Sequence, residues 1–431
     1  MFTALLCCTL ALIALLARSF CTGHGRIYIN PMFGFLSGLI YYVVLPSCVI
    51  AYFSEEMSTF VLYSHELSLA NATFVMGFTL ASLATFAVGA YLIRMLTGPA
   101  PEQAVYRPAE AFRSDVELAA LVLTAATVLF FLLSFSIRQF LFMGYDSSAL
   151  ENETVWALRG AMSSFYSLIY VCIVAIVLFT QPRLRSWRAL LLFISFAGST
   201  TVLLSLGARL YVAAAFLCFL ALYSVLKNGI PAFRLAIFII GTAALFGSVG
   251  VLRSSSSAGL ASVLLNIMLE PLLTSISLFT LVNNNATIWV GQAHLFLLDF
   301  QALMPSFLFP EKAGLFTRLE TDYGYTFEAP VGGFHLLFSA LINFGVLGTV
   351  ALAIPFGAFI ANLSGMPTRF NRLSALMSIA LTGVLVFTFF RDPFFISVVK
   401  NLVGMSILLP IFLSRLRFWN DSVPRHTSQT T

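Results

Sequence analysis

The chain has 431 residues, of which 59% are hydrophobic and only 10% are charged, and its formal net charge is +5. Soluble globular proteins carry about 25% charged residues, so this composition excludes a soluble enzyme, a disordered protein and a fibre. The 44 phenylalanines would make a water-exposed surface prone to aggregation. The sequence therefore predicts an integral membrane protein.

Long apolar segments recur along most of the chain. A helix needs about 20 mostly apolar residues to cross the hydrocarbon core of a bilayer, and eleven segments meet that requirement. They are 3–21, 32–53, 71–96, 116–137, 161–180, 189–207, 209–226, 235–252, 340–363, 373–390 and 394–414. Open strands would leave backbone groups unpaired in lipid. We therefore predict an all-α polytopic protein that forms one integral membrane domain, 1–431.

The segment 253–333 departs from this pattern of closely spaced spans. It contains two further apolar runs, 260–281 and 288–309, which are interrupted by polar residues and prolines. If only one of them crossed, every later loop would change sides. We predict that neither crosses and that both form amphipathic or re-entrant helices within one large periplasmic loop. The alternative is that both cross, which gives thirteen spans with the same termini.

The distribution of basic residues predicts the orientation. Fifteen of the 23 lysines and arginines lie in alternate loops: Arg18, Arg26, Arg94, Arg107, Arg113, Arg183, Arg185, Arg188, Lys227, Arg234, Arg369, Arg372, Arg415, Arg417 and Arg425. By the positive-inside rule these loops are cytoplasmic. The N-terminus is then periplasmic and the C-terminus cytoplasmic.

Several arginines remain on the side predicted to face away from the cytoplasm. They are Arg138, Arg159, Arg209, Arg253, Arg318 and Arg391. Arginines near helix ends often extend towards lipid headgroups. However, Arg209 lies in a very short connection between two spans, and Arg391 ends a span beside Asp392, which can hold its guanidinium in place. Guanidinium groups donate paired hydrogen bonds to phosphate oxygens, so these arginines predict a site for an anionic lipid without a metal ion.

A second group of polar residues lies at the end of the long loop, between Arg318 and His335. Glu320, Asp322, Glu328 and His335 are groups that can take a proton from a sugar hydroxyl. Tyr323 and Tyr325 can stack on sugar rings. An ordinary solvated loop is the alternative for any single acid, but glycines and aromatic residues interleaved with charges favour a shaped site.

Three short motifs resemble those of O-antigen polymerases (Wzy) and the related O-antigen ligases. The stretch from Gly333 through His335 and Gly345 to Gly348 resembles the H-x-n-G-x-x-G element after the large periplasmic loop. The turn from Ser205 to Arg209 resembles a small-residue-then-arginine element, and Arg391-Asp392-Pro393, with Lys400 downstream, resembles a late R-D element. The R-D-P element and the Arg318–Gly333 stretch favour a polymerase over a ligase.

The resemblance implies a glycosyltransferase without a cofactor or metal, located in the inner membrane of a Gram-negative bacterium. It would extend a glycan carried on undecaprenyl pyrophosphate by transferring it to a new lipid-linked repeat unit at the periplasmic face. By resemblance, Arg209, Arg318 and Arg391, helped by Arg253, would neutralise the donor pyrophosphate. His335, Glu328 or Asp322 would orient or deprotonate the acceptor hydroxyl, and a chain-length co-polymerase is the expected protein partner.

Two other functions remain as alternatives. An O-antigen ligase would use the same pyrophosphate chemistry with lipid A-core as the acceptor. A lipid-linked oligosaccharide flippase would move its substrate across the bilayer without lengthening it. Transporters commonly have internal repeats and charged residues within their spans. This sequence has no internal repeat and few charges within its spans.

Overall fold

A computed structural model describes residues 1–23, 25–58, 67–98, 122–127, 129, 168–178, 185–205, 209–254, 260–284, 288–292, 295, 300–301, 319–329, 334–369, 372–394 and 396–415. This part of the chain is almost entirely helical, and eight of its helices are long and apolar enough to cross a membrane. They are Phe2–Cys21, Pro31–Phe53, Leu69–Thr97, Trp187–Leu204, Leu210–Lys227, Ile267–Asn284, Leu336–Gly365 and Leu373–Arg391. The all-α, multi-pass membrane architecture is confirmed.

The helices are numbered here in chain order. They are α1 (Phe2–Cys21), α2 (Pro31–Leu39), α3 (Leu45–Ser58), α4 (Leu69–Thr97), α5 (Leu168–Leu178), α6 (Trp187–Ser205), α7 (Arg209–Lys227), α8 (Ala232–Ser254), α9 (Leu260–Asn284), α10 (Leu336–Arg369), α11 (Arg372–Arg391) and α12 (Leu409–Arg415). A π-helix, Ile40–Val44, joins α2 to α3, and a second, Ile396–Leu408, precedes α12. A two-stranded antiparallel ribbon, β1 (Thr22–Gly23) and β2 (Arg26–Ile27), follows α1.

The predicted span 116–137 lies mostly outside the described residues, and of the predicted span 161–180 the structure describes the helix Leu168–Leu178. The span predicted as an α-helix over 394–414 is mostly a π-helix of thirteen residues. Apolar periodicity alone does not distinguish a π-helix from an α-helix of similar length.

The centre of the bundle is built on close contact between α4 and α10. A Cβ added at Gly89 of α4 would lie 1.9 Å from the carbonyl oxygen of Ile354, and one at Gly357 of α10 would lie 2.0 Å from that of Phe86. Small residues allow backbones to approach in this way, which is how helices commonly associate within lipid. Phe35 of α2 stacks on Phe86, so α2 packs directly on this pair.

Contacts gather the predicted basic loops at one end of the bundle, which we call the basic end. Arg94 at the end of α4 donates to the carbonyl oxygen of Ser19 in α1 at 2.7 Å. Arg26 donates to that of Lys227 at the end of α7 at 2.8 Å, and Ile27 pairs with Ile230. The backbone N–H of Met32 donates to Ser364 in α10 at 2.9 Å. These loops therefore share one side of the bundle, as the charge distribution predicts.

Helix α9 contacts the end of the bundle opposite the basic end. The Asn71 side-chain amide, at the start of α4, donates to Asn283 at 3.0 Å, and Glu270 contacts Arg391 at the end of α11. By length and composition Ile267–Asn284 qualifies as a span. Its polar contacts reach the far ends of α4 and α11, and whether the run 260–281 crosses the membrane stays a prediction.

The segment 288–292 inserts against a kink in α10. Gly345 has φ +67° within the helix, the Val346 N–H donates to the Ile288 carbonyl at 3.0 Å, and the Gln292 N–H donates to that of Ile342 at 2.8 Å. A Cβ at Gly345 would lie 2.5 Å from both the nitrogen of Gly291 and the carbonyl oxygen of Trp289. The glycine of the motif thus permits both the left-handed backbone and the close approach.

We expect Gly345→Ala to lower the free energy of unfolding by about 2–4 kcal/mol, because the left-handed backbone and the crowding at residues 289–291 both penalise a side chain. Thermal unfolding in detergent measures this effect. Gly241→Ala in α8 is the matched control, since nothing lies within 4 Å of its added Cβ and its backbone is helical. Equal melting temperatures for the two variants would contradict this account of the kink.

Candidate functional site

An ion pair joins α9 to α11 at the end opposite the basic end. The Nε of Arg391 lies 2.9 Å from Oε1 of Glu270, and the two side chains are 37% and 24% exposed. Arg391 is the last residue of α11, where a cation interacts favourably with the helix dipole. The sequence predicted Asp392 as the carboxylate that holds this guanidinium, but Glu270, more than a hundred residues earlier, makes the direct contact.

The Asp392 carboxylate has a different partner. Its Oδ2 accepts a hydrogen bond of 2.8 Å from the side-chain amide of Asn401, which lies in the second π-helix. Ser397 ties the same turn together, since its hydroxyl donates to the carbonyl oxygens of Phe389 and Asp392, each at 2.7 Å. The R-D-P motif is therefore a fixed turn whose two charged side chains have separate partners.

The first π-helix brings two tyrosines to this site. Tyr41 donates its hydroxyl to the carbonyl oxygen of Ile267 at 2.7 Å, one turn before Glu270. Tyr42 is fully buried and stacks on Phe390 with ring centroids 6.3 Å apart. Among the described residues its hydroxyl has no hydrogen-bond partner, while Glu270, Arg391 and Asp392 are its electrostatic neighbours. π-helical turns occur frequently at functional sites.

Helix α7 begins beside the same charges. The Tyr211 side chain interacts electrostatically with Asp392, Lys400, Arg391 and Glu270. Since α7 starts at Arg209, two residues earlier, the backbone of this predicted arginine lies near Arg391. The start of α7 and the end of α11 therefore lie at the same end of the bundle.

For the two other predicted arginines, the structure gives a backbone position or no position. Arg253 is the penultimate residue of α8, which starts at the basic end and extends for 23 residues, so its backbone lies towards the opposite end. Arg318 lies outside the described residues. Of the predicted arginine cluster, the structure therefore describes the side chain of Arg391. It places the backbones of Arg209 and Arg253 at the same end of the bundle.

His335 is completely buried, and the backbone engages both of its ring nitrogens. Its Nδ1 accepts a hydrogen bond of 3.1 Å from the N–H of Leu337, so the proton resides on Nε2, which donates to the carbonyl oxygen of Tyr42 at 3.2 Å. Ser275 donates to the same Tyr42 oxygen at 2.9 Å. Burial lowers the pKa of the imidazole to about 3, so the ring is neutral and connects α10 to the first π-helix.

We expect His335→Asn to remove an acid-dependent loss of stability. The folded pKa of His335 lies below its unfolded value of about 6.5, so its contribution is fully present above pH 6.5 and declines as the pH falls towards 3. Asparagine can still accept from the N–H of Leu337 but has no proton to gain. Melting temperatures at pH 7.5 and 5 measure this, and an equal drop in wild type and variant would contradict the assignment.

The remaining predicted loop residues lie in the segment 319–329. Asp322 is exposed and accepts a hydrogen bond of 2.9 Å from the hydroxyl of its neighbour Thr321. Glu328 is half-buried, and its backbone N–H donates to Thr280 of α9 at 2.9 Å. Tyr323 is exposed, whereas Tyr325 is buried. Of the two tyrosines predicted to stack on sugars, Tyr323 is therefore the more accessible.

An apolar cavity of about 390 Å³, which we call cavity A, adjoins the ion pair. Glu270 and Tyr41 contribute polar groups to it, and hydrophobic side chains from α2, α7, α8 and α11 form most of its wall. The apolar wall suits a hydrocarbon chain, and the ion pair of Glu270 with Arg391 lies at its edge. Among the described residues, no group of three or more histidines, cysteines, aspartates or glutamates could hold a metal ion.

Comparisons with models of known families, with characterised proteins and with solved structures found no match to this chain.

Sequence reasoning missed Glu270, Tyr41, Tyr42, Tyr211 and Asn401. The available signal for Glu270 was its position within an otherwise apolar run, where an acid is costly unless it is paired. The tyrosines carried no comparable signal, because aromatic residues are abundant throughout the chain.

Proposed function

We propose that this protein is a membrane glycosyltransferase that polymerises glycan repeat units carried on undecaprenyl pyrophosphate, at the periplasmic face of a bacterial inner membrane. The observation that carries the proposal is Arg391, held by Glu270 at the end of the bundle opposite the basic loops and beside an apolar cavity. The positive-inside rule assigns that end to the periplasm. The His335 ring lies 6.1 Å from that of Phe390, and Tyr211 interacts electrostatically with Arg391, which supports a site shared by the three stretches that resemble O-antigen polymerases.

The charged side chains of the described site sum to zero, so the site attracts an anion only if further cations lie nearby. Arg391 and Lys400 are balanced by Glu270 and Asp392. A diphosphate leaving group therefore needs further positive charge, which Arg209, Arg253 and Arg318 would supply. Arginine suits this task because its planar donors pair with phosphate oxygens and stay charged at any relevant pH.

Transfer requires a group that accepts the proton of the attacking hydroxyl. The hydroxyl oxygen attacks the anomeric carbon, the bond from that carbon to the phosphate oxygen breaks, and the diphosphate leaves on its lipid. In this proposal Asp392 takes the proton, because Glu270 is already paired with Arg391 whereas Asp392 is held by the neutral amide of Asn401. Glu328 and Asp322 remain alternative bases, and His335 has a structural role since both its ring nitrogens are engaged.

Purified protein in liposomes, supplied with a lipid-linked repeat unit, tests the proposal. A ladder of products that lengthen by one repeat unit on the lipid carrier is the expected result. Transfer of a preformed glycan to lipid A-core, without lengthening, would instead identify a ligase. Movement of labelled lipid across the bilayer without any new glycosidic bond would overturn the enzymatic proposal in favour of a flippase.

We expect Glu270→Gln to lower the rate of chain extension by about tenfold while the protein stays folded, because Arg391 loses the carboxylate that orients it. The pair is partly exposed, so its direct contribution to stability is small, about 0–1 kcal/mol. Extension rate and melting temperature are measured together. A fall in melting temperature that accounts for the whole loss of rate would contradict an orienting role.

A further inference from the structure

Tyr42 is a buried polar residue that the proposed mechanism does not use. Its side chain is fully buried, and among the residues that the structure describes its hydroxyl has no hydrogen-bond partner. Buried hydroxyl groups in folded proteins nearly always have a partner, because leaving the hydrogen bond unmade costs free energy. A hydroxyl that is unpaired in the resting protein is therefore a candidate for a contact that forms only when a ligand binds.

Contacts with three helices fix the position of Tyr42. Its ring stacks on Phe390, the neighbour of Arg391, with centroids 6.3 Å apart. Its carbonyl oxygen accepts hydrogen bonds from Ser275 at 2.9 Å and from Nε2 of His335 at 3.2 Å. The residue is therefore held where α9, α10 and α11 meet, and the ion pair joins two of these helices.

The two tyrosines of the first π-helix differ in what their hydroxyls can do. Tyr41 donates to the carbonyl oxygen of Ile267 at 2.7 Å, so its proton is already used. The hydroxyl of Tyr42 makes no such bond, and of its charged neighbours Glu270 interacts with it most strongly. Of the two, Tyr42 can therefore donate to this carboxylate without breaking another hydrogen bond.

The arrival of a diphosphate at Arg391 would leave Glu270 without its partner. In the resting protein the Nε of Arg391 lies 2.9 Å from Oε1 of Glu270. A diphosphate carries more negative charge than one carboxylate, and guanidinium groups pair well with phosphate oxygens. A bound diphosphate would therefore compete for the arginine. A partly buried carboxylate left unpaired beside a second anion is costly unless another donor replaces the guanidinium.

We propose that the Tyr42 hydroxyl donates to Glu270 when Arg391 turns to a bound diphosphate, so that Tyr42 acts as a positioning residue for the arginine. This inference rests on the proposed function. One hydrogen bond replaces another at the carboxylate, and no covalent bond changes. Tyr42 acts through Glu270 and does not touch the substrate, since its side chain is fully buried.

Tyr42→Phe tests the proposal in the purified full-length protein. The binding probe is undecaprenyl pyrophosphate, and undecaprenol is the comparison lipid without a diphosphate. We expect the Kd for undecaprenyl pyrophosphate to rise about tenfold or more, because a hydrogen bond to a charged group is lost from the bound state. Binding of undecaprenol stays unchanged. The melting temperature of the unliganded protein stays the same or rises, since the resting hydroxyl has no bond to lose.

Tyr170→Phe is the matched control. Tyr170 is also buried, but its hydroxyl lies 2.9 Å from that of Thr200. This variant should lower the melting temperature by a few degrees and leave the Kd unchanged. A similar fall in melting temperature for Tyr42→Phe would overturn the proposal, because the Tyr42 hydroxyl would then be bonded at rest. An unchanged Kd in Tyr42→Phe would overturn it as well.

A double-mutant cycle with Glu270→Gln separates this positioning role from packing. In the Glu270→Gln background, we expect Tyr42→Phe to change the Kd for undecaprenyl pyrophosphate by less than about twofold, because a neutral amide beside the diphosphate does not require the hydroxyl. An equal loss of affinity in both backgrounds would mean that the hydroxyl does not act through Glu270, which contradicts the proposal.

The two proposals fail separately. If wild type shows this coupling in lipid binding but forms no polymer, the positioning role stands and the polymerase function is overturned. If wild type forms a polymer ladder and Tyr42→Phe binds the lipid as tightly as wild type, the polymerase function stands and the role of Tyr42 is overturned. Wild type that does not bind undecaprenyl pyrophosphate would overturn the positioning role whether or not a polymer forms.

Discussion

Replacing Arg391 with alanine is expected to lower chain extension by about 100-fold or more, because one charge-stabilising donor at a developing anion commonly contributes a factor of that size. Arg391→Lys should recover little of the loss, since an ammonium group supplies a point charge and not a planar pair of donors. Extension of a lipid-linked repeat unit by purified protein in liposomes measures both variants.

Arg94 provides the matched control for this prediction. It also lies near the end of a helix, but at the basic end, where it donates to Ser19 and lies over the ring of Phe20. Arg94→Ala should therefore retain extension within a few-fold of wild type. Equal losses in Arg94→Ala and Arg391→Ala would show that the effect depends on general packing and not on the site.

Substitution of Arg209 or Arg318 by alanine is expected to abolish chain extension while the protein still accumulates in the membrane. The four charges of the described site, Arg391, Lys400, Glu270 and Asp392, balance one another, so in the proposed mechanism a bound diphosphate would depend on these additional cations. Arginine-to-lysine variants at both positions should also fail if paired donation is required. The measurement is product length on a gel, normalised to the amount of membrane protein.

Arg138→Ala is the comparison for a headgroup-contacting arginine and should have a milder effect. Full activity in Arg209→Ala and Arg318→Ala would remove the arginine cluster from the mechanism and leave Arg391 to act without them. Equal activity in all three variants would leave the cluster without support.

Much of the architecture follows from composition and charge. An excess of apolar residues in runs of about twenty leaves few alternatives to a bundle of helices in lipid. The grouping of Arg26, Arg94 and Lys227 at one end follows from the same rule that keeps basic loops together. Arg209 and Arg391 were predicted to share the opposite end, and the interactions of Tyr211 place the backbone of Arg209 beside Arg391.

The partners within the site depend on tertiary contacts that the sequence does not encode locally. Glu270 and Arg391 are far apart in the chain, so the adjacent Asp392 was the natural partner to predict, yet the fold brings α9 onto the end of α11. The imidazole of His335 is a group that can act as a base, but it is buried against the carbonyl oxygen of Tyr42. That contact depends on a π-turn, and no periodicity in the sequence distinguishes such a turn from an ordinary helix.

Gly345 illustrates the opposite case. The short motif marks this position in the sequence. The requirement for glycine comes from its left-handed backbone and its close approach to residues 289–291. A motif can therefore identify a position correctly while the pattern leaves its physical role open.

Binding of undecaprenyl pyrophosphate to the purified protein tests the central claim most directly. Titrations should compare it with undecaprenol, which lacks the diphosphate, in wild type, Arg391→Ala and Arg94→Ala. We predict saturable binding of the diphosphate lipid that is lost in Arg391→Ala and retained in Arg94→Ala, with weaker binding of undecaprenol in every case. Equal binding of the two lipids, or full retention of diphosphate binding in Arg391→Ala, would contradict a diphosphate site centred on this arginine.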